Sequence, residues 1–164
     1  KPNTNSVGAP EAVGAGATLS VGDGGSVVST DDIPRAPIDY DGHILGAEVK
    51  PNGGVVGGHS IATGGVRVIP GTETKPDAQG VYTAKIEVAD PNNPGQFLPK
   101  TNYDGYSTMF PDSWGAERLK VEVDAAFQNR TIDGNRWSGV TPSGVNVVGY
   151  LKPKTTVYPI YVNP

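Results

Sequence analysis

Cysteine is absent from this 164-residue chain. Disulfide staples, zinc–thiolate sites and thiol nucleophiles are therefore excluded. Histidine is scarce: the chain has 2, His43 and His59, the side chains whose ordinary pKa of about 6.5 lets a proton move near neutral pH. Aromatic residues make up only 7% and begin at Tyr40. No apolar run approaches the roughly twenty residues of a membrane span, and the first residues lack the apolar core of a signal peptide. No Gly-x-Ser-x-Gly elbow occurs, which argues against a serine hydrolase. His43 and Glu48 do not have helical His-Glu spacing, so no metal site is expected.

Gly 23 and Pro 15 are abundant instead, and their distribution divides the chain. Residues 1–39 are rich in glycine and small side chains with little to bury, and read as a linker or docking tail closed by Pro34 and Pro37. Residues 40–164 hold the large side chains of one domain with a core. Charge divides in the same place. Residues 1–42 carry Lys1 and Arg35 against six carboxylates, whereas the remainder has eleven basic and eleven acidic residues, so the net charge of -4 belongs to residues 1–42. A neutral domain suits a small, selective phosphate footprint better than a broad nucleic-acid surface.

Hydrophobic periodicity predicts an α+β fold of two small antiparallel β-sheets with one major helix packed outside. Gly42–Lys50 reads as a strand opened by His43, with a hairpin turn at Asn52-Gly53-Gly54. Another short strand is expected at Val66–Ile69. Val81–Ala89 alternates, placing Tyr82, Ala84, Ile86 and Val88 on one face and Lys85 on the other. Asp90–Pro99 reads as a loop, and Lys100–Pro111 as irregular or edge-like. Trp114–Asn129 is the expected helix, capped by Asp112 or Ser113, with Glu117, Lys120 and Glu122 on a solvated face. Strands at Val145–Leu151 and Lys154–Val162 are expected to be antiparallel neighbours.

His43 and His59 lie sixteen positions apart, the second on the Gly-rich segment Gly57-Gly58-His59-Ser60. If that segment folds back, both imidazoles meet one phosphodiester, and glycine amides there could face an anion. Either histidine could then be the base and the other the acid. A non-catalytic β-rich module at the end of a bacterial surface adhesin would show the same glycines, prolines and short strands.

Several segments carry a resemblance: HILGAE from His43, GGHS from Gly57, GVYTAKIEV from Gly80, STMFPDSWG from Ser107, WSGVTPSGV from Trp137 and TTVYPIY from Thr155. Over about residues 40–162 the chain resembles the EndoU endoribonucleases, and within them the toxin domains of contact-dependent growth inhibition systems. The resemblance implies a fold shared with RNA-cutting toxins and a catalytic His–His–Lys trio. His43 and His59 match the family histidines, Lys85 is expected as the lysine in preference to Lys100, and Thr156 and Tyr158 match the C-terminal hydroxyl and aromatic positions. It further implies cleavage of RNA, expected to be tRNA, at uridine without a metal or other cofactor. His59 would act as base and His43 as acid, with Gly57 or Gly58 assisting. The partners implied are the RNA and a cognate immunity protein. The expected location is the C-terminal part of a larger exported surface protein, acting in the cytoplasm of a target bacterium.

Overall fold

The computed structural model describes residues 33–164, and ahead of them only the backbone of three short strands, β1 (Pro10–Glu11), β2 (Thr18–Val21) and β3 (Val27–Ser29), paired antiparallel. Most of the tail expected over residues 1–39 thus lies outside the described residues. The chain forms two compact units, one of Asp39–Ala116 with Thr156–Pro164, the other of Glu117–Thr155 with the residues up to Ile38.

In the first of these units the hairpin of β4 (Ala47–Val49) and β5 (Val55–Gly57) turns over Asn52-Gly53, where Lys50 N–H donates to Gly54 O at 2.7 Å. The expected strand from Gly42 is shorter than its apolar pattern suggests. Tyr40–Ile44 instead winds into a single π-type turn: the Asp39 carboxylate accepts from Gly42 N–H at 3.0 Å, and Leu45 N–H reaches back to Tyr40 O at 2.7 Å. A side chain capping the amide three residues on favours a turn over a ladder. His43 therefore sits on a turn and not at the start of a strand.

The second sheet is built on β7 (Tyr82–Ala89), with β6 (Val66–Val68) along one edge and β8 (Phe97–Pro99) and β9 (Tyr106–Met109) sharing the other. Its alternation is what the sequence predicts: Tyr82, Ala84, Ile86 and Val88 are buried and join Val55, Val66 and Met109 in one core cluster. Each large apolar side chain buried there contributes about 1.5–3 kcal/mol. Ser107 pairs with Ala84 and Tyr106 with Lys85, so Ser107 shares the core face while Lys85 and Tyr106 share the outer one.

The other unit holds α1 (Ala116–Gln128) from Glu117 onward, and the meander β10 (Thr131–Asp133), β11 (Arg136–Val140) and β12 (Asn146–Tyr150). Leu119, Val123 and Ala126 are buried, and Phe127 meets Trp137 edge to face with ring centroids 4.9 Å apart. Glu122, expected on a solvated face, is instead fully buried: it accepts from Ser143 N–H at 3.0 Å, from the Ser143 hydroxyl, and from Arg118 Nε at 3.4 Å. Those donors repay its desolvation. Asp112 does not cap the helix but accepts from the Tyr82 hydroxyl at 2.6 Å.

Of the expected strand Lys154–Val162, only β13 (Tyr158–Pro159), back in the first unit, is a strand. Pro159 lacks the N–H a longer ladder needs. Its flanking segment is clasped, since the Tyr161 hydroxyl donates to Lys75 O at 2.7 Å and Val162 N–H to Asp77 Oδ2 at 3.1 Å. The α+β class with small antiparallel sheets and one main helix is the observed architecture. Among the described residues no helix is long and apolar enough to cross a membrane.

Candidate active site

Three backbone hydrogen bonds join the two histidine-bearing segments. Gly58 N–H donates to His43 O at 2.8 Å, and His59 and Ser60 N–H both donate to Ile44 O, at 2.8 and 3.1 Å. Glycine is required for this approach. Gly57 has φ +94°, and a Cβ on it would stand 2.7 Å from His43 O; Gly58 has φ +80°, and its Cβ would be 2.6 Å from Ile86 Cδ1. Such backbone angles and clearances exclude side chains. The consequence is that the imidazoles converge, with ring centroids 5.9 Å apart.

His59 is 7% exposed and held on both sides, its carbonyl accepting from Phe110 N–H at 2.8 Å and its Nδ1 lying 2.8 Å from Thr108 O. A carbonyl can only accept, so Nδ1 carries the proton and Nε2 keeps its lone pair. Burial, then the charge of Lys100, push the His59 pKa down to about 3; the Thr108 hydrogen bond opposes this shift and His43 adds to it. His59 is thus neutral at physiological pH.

Lys100 is 6% exposed, and its ammonium donates to Ser107 Oγ at 2.6 Å while that hydroxyl donates to Gly57 O at 3.3 Å. Burial lowers its pKa to about 8. The Tyr158 ring lies 6.2 Å from the His59 ring, inclined by 26°.

The structure therefore brings together His43, His59, Gly57, Gly58 and Tyr158, but not Lys85. The Lys85 ammonium lies 5.6 Å from the Tyr106 ring centroid, on the face of the sheet turned away from Ser107 and the core. The lysine beside the histidines is Lys100. Its sequence signal was the apolar pair Phe97-Leu98, which forms β8 and puts Lys100 in phase with the half-buried Leu98; the surrounding prolines masked that strand. The Gly58 amide is committed to His43 O and is not turned to an anion. Thr156 is half-buried, two residues before Tyr158.

A neutral imidazole with a bare nitrogen, a second imidazole near it and a buried ammonium form an acid–base site fitted to an anionic substrate. A family model described as bacterial EndoU nuclease matches residues 39–161, and the chain belongs to that family. A Bacillus cereus protein named Toxin is 32% identical over 112 residues, which are 66% of this chain and 19% of that protein. The chain thus spans about a fifth of that relative's length. No solved structure matches.

Proposed function

We propose that this chain is an endoribonuclease toxin that cuts RNA, with tRNA the expected target, on the 3′ side of uridine by transphosphorylation. His59 Nε2 removes the proton from the ribose 2′-OH, and the freed oxygen forms a bond to the adjacent phosphorus. The bond from phosphorus to the 5′-oxygen breaks as His43 protonates the leaving oxygen. The products are a 2′,3′-cyclic phosphate and a 5′-OH. The Lys100 ammonium, taking the place expected for Lys85, meets the charge that builds on the phosphorane. Tyr158 lies against the uridine, and Thr156 reads its edge. Gly57 and Gly58 serve by letting the histidine segments approach.

The observation that carries this reading is the pair of imidazoles 5.9 Å apart with a buried ammonium next to the neutral one. An incoming phosphate anion offsets the Lys100 charge that weighs on His59 and so raises its basicity where it is needed. The name of the Bacillus cereus relative supports use as a toxin. Deployment from a larger exported protein in interbacterial competition, and a cognate immunity protein in the producing cell, complete the proposal.

The test is incubation of the purified chain with total tRNA in EDTA, followed by end-group analysis. Cleavage with cyclic phosphate ends is expected, and it should vanish when the reacting nucleotide lacks its 2′-OH. Activity that dies in EDTA and returns with Mn²⁺ would overturn the mechanism.

A further inference from the structure

Immediately after Lys100 the chain makes a short 3₁₀ turn, Tyr103–Gly105, whose backbone is unusual: Tyr103 has φ 52° and Asp104 φ 55°. Left-handed backbone is uncommon for any residue but glycine and is rarer still for a bulky ring. Strain of this kind persists where surrounding structure imposes it, and it clusters at ligand-binding segments. The turn spends that strain on exposure. Tyr103 is 77% exposed, the most exposed of the large hydrophobic residues described. The Lys100 ammonium lies 5.7 Å from its ring centroid.

One residue earlier, Asn102 Oδ1 is buried with no hydrogen-bond partner, the one such side-chain atom among the described residues. Buried acceptors are nearly always paired, so the orphan is a second unusual feature of the same turn. The turn therefore presents an open aromatic face beside the buried Lys100 ammonium. The carboxylate of Asp104 disfavours a phosphate at this spot, which leaves the uncharged face of a base as the fitting group.

We infer that Tyr103 is a stacking platform for the nucleobase on the 3′ side of the cleaved phosphate. This deepens the proposed ribonuclease reading and rests on it. Contacts run from Tyr158 to His59, and from Lys100 to Tyr103, with the Lys100 charge acting on His59. With the uridine at Tyr158 and the scissile phosphate at Lys100, the next nucleotide lies over Tyr103. A stacking contact tolerates any base, so the platform adds rate without adding selectivity at that position.

The experiment uses two short RNAs with one uridine each, alike except that the second has an abasic ribose on the 3′ side of the cleavage position. Tyr103→Ala should lose about ten-fold in kcat/KM on the first RNA, in keeping with stacking on one aromatic ring. On the abasic RNA it should match the wild-type chain within about two-fold, and Tyr103→Trp should restore cleavage of the first. An equal loss on both RNAs would mean that Tyr103 only supports Lys100, and no loss on either would remove the platform; both outcomes overturn the inference while leaving the ribonuclease reading standing. Failure of the wild-type chain to cut either RNA would sink that reading, and the platform with it.

Discussion

Lys100 is an ammonium at 6% exposure held by a hydroxyl, and burial lowers its pKa to about 8. A cation kept in that state costs stability, and such costs are commonly retained where an anion must be met. Lys100→Ala is expected to lower kcat about 10²–10³-fold with little change in KM, because charge on the phosphorane exists only in the transition state. Lys85→Ala should stay within about two-fold; steady-state kinetics on a single-uridine RNA decides between the two lysines. His59 leaves a mark on stability as well. Its folded pKa of about 3 lies below the ordinary 6.5, so the unfolded chain binds a proton that the native state refuses. Stability is then full above about pH 6.5 and drains as the pH falls toward 3. Urea unfolding between pH 7 and pH 4 should show the wild-type chain losing about 2–3 kcal/mol more than His59→Gln. Parallel losses would mean that His59 is protonated in the folded state.

Among the elements, β7 is the one whose sequence leaves least freedom, because its alternating apolar residues can face only the core. The histidine-bearing segments are set differently. They have little apolar pattern and depend on backbone bonds from Gly58, His59 and Ser60 to the turn at Tyr40–Ile44. Gly57→Ala tests that dependence, since its Cβ would press on His43 O from a left-handed backbone. The strain alone should cost about 1–2 kcal/mol of unfolding free energy. Activity should fall further than this loss explains, because the imidazoles are pushed apart while the chain is still folded. An active variant with unchanged stability would show that the two segments can separate without consequence.

For the whole molecule, a neutral body and an acidic first segment suit a small, selective phosphate footprint. In the proposed site, stacking on Tyr158 would serve every base, so discrimination would fall to hydrogen bonds. Uracil offers acceptors on either side of an N3–H, whereas cytosine replaces the N3–H and O4 by an acceptor and an amino group. A hydroxyl such as that of Thr156 can serve as donor or acceptor. Thr156→Ala is expected to narrow the preference for uridine over cytidine, while Tyr158→Ala weakens cleavage at every base. RNAs differing only at the cleavage nucleotide measure both, and an unchanged ratio in Thr156→Ala would place the base reader elsewhere.

Rare residue types and short-range pattern were enough to single out His43 and His59, to mark Gly57 and Gly58, and to draw β7 and the helix within two residues at its start. These are local facts: a strand face or a helix stripe is written in a few consecutive positions. The choice of lysine was not local. Lys85 lies in the better strand, yet the pairing of β7 with β9 turns it outward, while the brief β8 carries Lys100 inward to Ser107. Glu122 escaped for the same reason, since a carboxylate on a helix looks solvated until Ser143 and Arg118 are found around it. The sequence by itself determined the family, the apolar faces and the two histidines as candidates for proton transfer. Only the tertiary structure decided which ammonium stands beside His59 and that this imidazole is neutral, because burial and the neighbouring charge come from segments far apart along the chain.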